Sequence, residues 1–474
     1  MRLPIAKGFY RDKSLPISHQ ECVNCYPNIV QTEGAYDNET LYGTPGIVQL
    51  TTTGTVGQIN RGGHTMLGIP YFVNGQSLYR LDRSFVGPTE VFTTTTIGII
   101  AGTARVSIAD NGTQMLILVP GGNGYIYTAA TSTLAVISDV DFTANGNPQY
   151  VIFVDGYFAC FTDSKKWIVS NLNDGTSWSA PQFGTAESDP DNISAMAKLN
   201  NQVYLLGSVT TEGNQNIGGY TFPFQRNNVF LDKGCAAKFS VINADQSFFM
   251  LGGGDRETPA IWQFKDNQYT KVSTTAIDDM LSGFSDIVIS NCFAWSYAQS
   301  GAYFVGFTFS STSIVYDTVS GLWHERKSIS GESVSRWRVN CIVEAYNKII
   351  VGDAVDGRIG YLDLDTYSEY GDEIIRIFTT MPYNEGEEEL IFSRLELTME
   401  SGVGNADDVN PVIELQTSKN GKTFNNPRPR KIGAIGEYHK RIVWKRNGRF
   451  PKISVLRFTM SSKVKFVIIK LEGK

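Results

Sequence analysis

One pattern of apolar and polar positions returns seven times along the chain: an apolar strand, a turn built on Gly or Asn, then a second strand of aromatic or aliphatic residues. It reads YFVNGQSLYRL from Tyr71, LILVPGGNGYIY from Leu116, VIFVDGYFACF from Val151 and VYLLGSVTTEG from Val203. It continues as FFMLGGGDRETPAIWQF from Phe248, AYFVGFTFSSTSIVYD from Ala302 and IIVGDAVDGRIGYLDL from Ile349. Successive starts lie 45, 35, 52, 45, 54 and 47 residues apart, and a four-stranded propeller blade takes roughly 40 to 50 residues. The pattern therefore predicts an all-β chain containing a β-propeller of about seven blades. Runs such as YVIFV and VYLLG do not alternate, so they are expected to be inner strands, buried on both faces between neighbouring blades. Two alternatives keep the same strands: a pair of β-sandwiches, since periodicity alone does not close a ring, or six blades with an irregular unit.

The rhythm stops at EYGDEIIRIFTTMPYNEGEEELIF, where acidic residues cluster. Beyond it RLELTMES, PVIELQTS, KRIVWKR, ISVLRFTM and VKFVIIKLE read as strands separated by turn-rich GVGNADD, KNGKTFNN, RNGR and SSK. The expected organisation is an N-terminal extended segment over residues 1–45, leading into or packing on the propeller, then the propeller over 46–370 and a C-terminal antiparallel β-sandwich over 371–474.

Composition agrees with β-structure: 19% charged residues, 12% aromatic, 46 Gly and 22 Tyr. The formal charge of −6 conceals a split. From Lys419 onward there are 16 basic and 2 acidic side chains, net +14, so residues 1–418 carry −20. Opposed charged surfaces suit assembly and argue against a general nucleic-acid binder, although HKRIVWKRNGRF, residues 439–450, remains a local basic patch. The six cysteines stand mostly within apolar strand-like runs, as expected of reduced, buried thiols. MRLPIAKGFYRDKS has no apolar core of signal-peptide length, and no apolar run approaches the roughly 20 residues that cross a bilayer, so no membrane anchor is expected.

Candidate chemistry is sparse. Cys22 and Cys25 form a C-x-x-C beside His19, but a closed zinc site needs four ligands, and no second C-x-x-C or H-x₃₋₅-H completes one. No βαβ pattern surrounds the pair to suggest a redox motif. His19, His64, His324 and His439 are dispersed, and no G-x-S-x-G elbow anchors a catalytic triad. LGGGDR at Leu251–Arg256 lacks the Lys-Ser/Thr ending of a phosphate loop. SNLNDGTSW (Ser170–Trp178) and SKNGKTF (Ser418–Phe424) resemble the Asp-box hairpin of sialidases, whose Asp or Asn and Gly shape a turn over a packed aromatic. A glycosidase would also need two carboxylates at fixed separation, or a Tyr nucleophile with an arginine cluster. In the basic stretch, strand parity puts Ile442 and Trp444 on one face and Arg441, Val443 and Lys445 on the other. Trp444 is therefore expected in the core and not as a stacking platform for single-stranded nucleic acid, and Asn447-Gly448 reads as a hairpin turn.

RLELTMESGVG, IELQTSKNGKTF, GEYHKRIVWKRNGR and the closing strand with LE resemble the C-terminal region of the tail hub, or nozzle, proteins of short-tailed bacteriophages, also called packaged-DNA stabilisation proteins or tail accessory factors. CVNCYPN is similar to that family's N-terminal V-N-x-Y-P, LYGTPGIVQL to the segment entering its propeller, and VDGYFACF with SNLNDGTSW to one of its blades. The most specific part is K-R-[IV]-x-W-K-R-x-G-R, carried by Lys440, Arg441, Ile442, Trp444, Lys445, Arg446, Gly448 and Arg449. Cys25 departs from the apolar residue expected there.

The resemblance implies a non-enzymatic virion component with no cofactor, no metal and no catalytic residue, made in the host bacterial cytoplasm and located in the tail. It implies a homohexameric tube below the portal-adaptor ring that retains packaged DNA and conducts the genome during ejection. The implied neighbours are the tail needle or tip, the tailspikes or fibres, and translocating double-stranded DNA held without sequence preference. The charge split suggests an acidic propeller facing the lumen. A basic docking surface (Lys440, Arg441, Lys445, Arg446, Arg449) would meet an acidic partner, such as the adaptor or a neighbouring copy's Glu385, Glu387, Glu388 and Glu389. The alternative is a glycan-binding or glycan-cleaving propeller.

Overall fold

The computed structural model describes residues 2–5, 7–29, 39–54, 57–186, 191–331, 333–384 and 388–474. Seven antiparallel sheets follow one another around a ring, their innermost strands being Asn60–Met66, Ser107–Asp110, Pro148–Val154, Ala195–Leu199, Ile242–Ala244, Phe293–Gln299 and Val339–Ala345. Each neighbouring pair of sheets encloses its own apolar cluster, from Tyr71 with Tyr125 between the first and second blades to Phe304 with Trp337 between the sixth and seventh. Closure comes from both ends of the repeat. Phe72 and Leu81 of the first blade pack with Ile350 and Ile359 of the last, and the last blade takes its fourth strand from the N-terminal side, Gly46–Thr52 pairing with Arg358–Asp363. A ring closed this way leaves no free strand edge where the ends of the repeat meet.

Two sequence expectations shift by one strand. Six of the seven repeats begin in or at the second strand of their blade, but VIFV from Val151 lies in the innermost strand Pro148–Val154, and Tyr157–Thr162 is the true counterpart. Starting that repeat at Tyr157 evens the neighbouring intervals from 35 and 52 to 41 and 46 residues. The fully buried strands are also the second ones: Met115, Leu116, Ile117 and Leu118 are all 0% exposed, whereas Tyr150, Ile152 and Phe153 on an innermost strand are only half-buried. The physical reason is position. A second strand has a neighbour on both edges and blades on both faces, while an innermost strand borders the channel.

That channel is narrow. The Arg105 guanidinium lies 3.6 Å from the Phe293 ring centroid and donates to the Asn340 carbonyl and Oδ1 at 2.9 and 2.8 Å. Tyr150 meets Phe239 edge-on at 5.7 Å, and Lys238 Nζ donates to Gln149 Oε1. Side chains of the second, third, fifth, sixth and seventh blades thus constrict the axis, leaving a cavity of about 340 Å³ beside them.

The C-terminal part is a sandwich. One sheet orders Ile442–Lys445, Arg394–Met399, Val467–Gly473, Glu39–Gly43 and Cys25–Ile29, with Arg2–Leu3 also on Val467–Gly473. The other runs Cys22–Val23, Arg376–Thr379, Val455–Met460, Val412–Ser418 and Arg428–Lys431. Alternation sends Leu395, Leu397, Ile413, Leu415 and Trp444 into one core with Phe378 and Phe458. Among the described residues α-helix is confined to two short pieces, Thr275–Ser282 and Asp286–Ser290, whose Ile277, Leu281 and Ile289 fill the space between the fifth and sixth blades. Among the described residues, no helix is long and apolar enough to cross a membrane.

Candidate docking surface and interdomain seam

The basic stretch is built as strand parity dictates. Ile442 and Trp444 are 1% and 0% exposed. Trp444 meets Phe458 edge-on at 5.7 Å and donates its indole N–H to the Arg428 carbonyl at 2.7 Å. Its buried, satisfied N–H leaves no ring face for a stacked base. Around this anchor the cations divide into two groups. Arg441 makes a two-pronged pair with Glu396, 2.6 and 2.8 Å, which Arg394 also joins; Lys440 pairs with Glu437 at 3.3 Å, and Arg449 approaches Glu389 at 3.7 Å. Lys445 and Arg446 have no ion pair among the described residues, and both are exposed.

The Asn447-Gly448 hairpin turn does not form. Ile442–Lys445 pairs with Arg394–Met399, and Arg449–Phe450 pairs with Leu390–Ile391, so both sides face the preceding chain and not each other. Arg446 and Gly448 adopt positive φ and make a bulge opposite Phe392 and Ser393, which accept from the N–H groups of Asn447 and Arg446. The buried Asn447 side chain fixes the bulge by donating to the Phe392 and Trp444 carbonyls.

Of the acidic residues expected as the complementary surface, Glu385 and Glu387 lie outside the described residues, and Glu388 and Glu389 are exposed. The Arg449–Glu389 contact means that the acidic loop ends beside the basic strand of its own chain. Two cations were missed. Arg428 and Arg430, from the neighbouring strand Arg428–Lys431, donate to the Lys445 and Val443 carbonyls at 2.7 and 2.9 Å and so extend the basic edge past Lys445. The run PRPRK carried the signal, since its arginines alternate as a strand requires.

The N-terminal motif serves the seam between propeller and sandwich. Val23 pairs in parallel with Glu325 of the sixth blade and antiparallel with Ile377 of the sandwich, so one sheet runs without a break from blade to sandwich. Asn24, at φ 52°, faces Lys327 on one side and Ile375 on the other. Cys22 and Cys25 are wholly buried, with Cys22 Sγ 3.5 Å from Cys25 Sγ and 3.0 Å from the Cys25 carbonyl. Burial pushes the Cys22 thiol well above its ordinary range, and Cys25 adds to the effect, so it is an unreactive core thiol. All six cysteines are buried free thiols, and no cluster of metal ligands occurs among the described residues.

Nearby, burial opposes ionisation of Glu21, but His19 and Arg457 overcome it and hold the carboxyl at about 2; Arg457 lies 2.8 Å away. His19 also bonds the Gly421 carbonyl and packs on Phe424, the terminal aromatic of SKNGKTF. In SNLNDGTSW, Asp174 accepts from Thr176 N at 3.0 Å, and Trp178 donates to the Gly175 carbonyl while packing on Phe142. Both Asp-box-like segments are therefore structural: one stiffens a blade, and the other clasps the N-terminal strap.

Comparison with solved structures finds the WD40 β-propeller domain of Doa1, 10% identical over 67% of this chain and 97% of that one, TM-score 0.40. It also finds the N-terminal domain of Nup159, 11% identical over 70% and 97%, TM-score 0.41, and the computationally designed Ika8 protein, 12% identical over 68% and 99%, TM-score 0.39. No curated protein matches the chain. A family model described as Bacteriophage P22 Gp10, beta-propeller, matches residues 1–367, and one described as Bacteriophage P22 Gp10, beta-sandwich, matches residues 374–473. The chain belongs to the bacteriophage P22 Gp10 family, and is a structural protein of the short phage tail, a hub that stabilises packaged DNA.

Proposed function

We propose that copies of this chain assemble as a homohexameric ring below the portal-adaptor complex, and that the genome passes through the space between copies. The observation that carries this reading is the constricted propeller axis. With Arg105, Tyr150, Phe239 and Phe293 meeting across it, a duplex has no path through a single chain. A conduit for ejected DNA then has to be made by several chains around a common axis. A wall that does not hold phosphate suits such a conduit, because each neutralised phosphate adds salt-dependent affinity and slows passage; the net −20 of residues 1–418 favours placing the propellers toward the lumen.

In this arrangement residues 46–370 act as the propeller unit, 371–474 as the sandwich unit, and 1–45 as a strap serving both. Lys445 and Arg446, backed by Arg428 and Arg430, are the cations available for an acidic surface of the adaptor or of a neighbouring hub. Arg441 and Lys440 are already engaged within the chain. The needle or tip and the spikes or fibres border the ring, and the chain has no enzymatic role. The purified protein should gain mass in multiples of one chain, closing at six, when the portal-adaptor complex is added in native mass measurements. A chain that stays monomeric and never joins a tail would sink the proposal.

A further inference from the structure

A cavity of about 350 Å³ lies at the seam, walled by Tyr26 and Tyr42 of the N-terminal strap, Tyr367 after the last blade, and Arg376, Lys465 and Phe466 of the sandwich. Among the described residues Asp365 is the one carboxylate on this wall, against two cations. Arg376 is 1% exposed, and its only side-chain hydrogen bond among the described residues runs from Nη1 to the Ser462 carbonyl at 3.3 Å. Its Nε and Nη2 have no partner there, nor does its guanidinium have an ion pair. Buried guanidinium groups are ordinarily matched by a carboxylate or a set of acceptors, because an uncompensated charge is costly in a medium of low polarity. Burial already pushes the Arg376 pKa down to about 10.

Gly43 leaves the approach to these nitrogens open. A Cβ at that position would stand 3.0 Å from Arg376 Nε and 3.2 Å from Phe466 Cβ. Lys465, held at 2.9 Å by Glu400 and about half exposed, supplies a second cation at a more accessible part of the wall. Three tyrosine rings and a phenylalanine provide a semi-polar lining that can donate hydroxyl hydrogens without adding charge.

We propose that this cavity binds a small oxyanion, a phosphate or a carboxylate, with Nε and Nη2 of Arg376 as the principal donors and Lys465 as the second cation. Guanidinium geometry suits both anions, since its parallel N–H groups match two oxygens of one group. The bound anion supplies the counter-charge at contact distance that Arg376 lacks among the described residues. Because strap, propeller and sandwich all contribute to the wall, occupancy also tightens the joint between them. The proposal concerns the isolated chain and does not depend on how many copies assemble.

The test uses the purified full chain in chloride buffer at constant ionic strength, titrated separately with inorganic phosphate and with acetate, and followed by calorimetry and by thermal unfolding. The expected result is saturable binding of at least one anion with a matching rise in Tm. Affinity should fall at least tenfold in Arg376→Gln and by a smaller factor in Lys465→Gln, whose more exposed side chain can be replaced without disturbing the core. Phosphate without acetate would identify a phosphate site, and both together an oxyanion site that also admits carboxylates. Absence of saturable binding to either anion would overturn the proposal, as would an affinity that Lys465→Gln and any foldable Arg376 variant leave unchanged.

Discussion

Asn24 and Lys327 hold each other by a reciprocal pair of hydrogen bonds: the Lys327 N–H donates to Asn24 Oδ1 at 3.0 Å, and Asn24 Nδ2 donates to the Lys327 carbonyl at 2.8 Å. The same Nδ2 reaches the Ile375 carbonyl at 2.8 Å. One amide thus completes the edge of the sixth blade and the entry to the sandwich together. Asn is also among the few residues with a side chain that tolerate its left-handed φ of 52°. Replacement by Gly keeps that backbone conformation and removes only the amide. Asn24→Gly should lose about 3 kcal/mol, near 1 for each backbone group left without its partner. Denaturant unfolding followed by the fluorescence of Trp323 and Trp444 should show blade and sandwich melting less cooperatively.

His324 gives the folded chain a pH dependence with a defined window. It is wholly buried, packed on Phe304 and near Tyr26, and burial, with Arg326 adding repulsion, drives its pKa down from 6.5 to about 3. As pH falls below 6.5 the unfolded chain takes up a proton that the folded chain refuses, so folding loses stability with acid. From pH 6.5 to 5 this amounts to about 1.5 kcal/mol. Glu21, held at about 2, contributes stability that is present above pH 4.5 and is lost as pH falls toward 2, so His324 alone acts between pH 6.5 and 4.5 and the two overlap below that. His324→Phe should flatten the upper window and leave the lower one. Stability measured at half-unit intervals from pH 7 to 2 checks both.

Gly46 begins the strand that closes the propeller, and a Cβ there would collide with the carbonyl oxygens of Thr366 and Ser368. Its N–H donates to the Thr366 carbonyl at 2.9 Å. Gly46→Val should therefore unseat Gly46–Thr52 from Arg358–Asp363, expose the edge of the last blade, and lower stability by about 2 to 4 kcal/mol. Limited proteolysis should then cut near residues 46–52, where the parent chain resists.

The basic strand separates stability from docking. Trp444→Ala should cost about 3 to 5 kcal/mol, the range for emptying a buried aromatic site. Lys445→Glu with Arg446→Glu should leave the melting temperature nearly unchanged and abolish capture by the portal-adaptor complex at physiological salt. Arg441→Ala should weaken capture less, because its charge is already spent on Glu396. Pull-down across a salt series reads all three.

Much of this architecture was legible because it is local. Each blade repeats an apolar strand and a Gly or Asn turn within one stretch of chain, and alternation in RLELTM and IVWK fixes which side chains enter the sandwich core. What the sequence concealed lies between distant residues or in very short elements. The pairing of Ile47 with Leu362 joins positions more than 300 residues apart and leaves no periodic trace. Cys22–Val23 has only two residues, too few for a pattern, yet it joins blade to sandwich. Asn447-Gly448 has the composition of a tight turn, but pairing of both flanks to residues 390–397 overrides that preference and turns the same residues into a bulge. The spare cations of Arg428 and Arg430 became a surface only when their strand was set beside Ile442–Lys445.

The most direct test of the central claim is an electron cryo-microscopy reconstruction of the hub assembled on its portal-adaptor complex with DNA retained. The predicted map has six copies around one axis, duplex density on that common axis, and every propeller channel still constricted at Arg105 and Phe293. Duplex density threading an individual propeller, or a hub that contributes a single copy beside the axis, would contradict it.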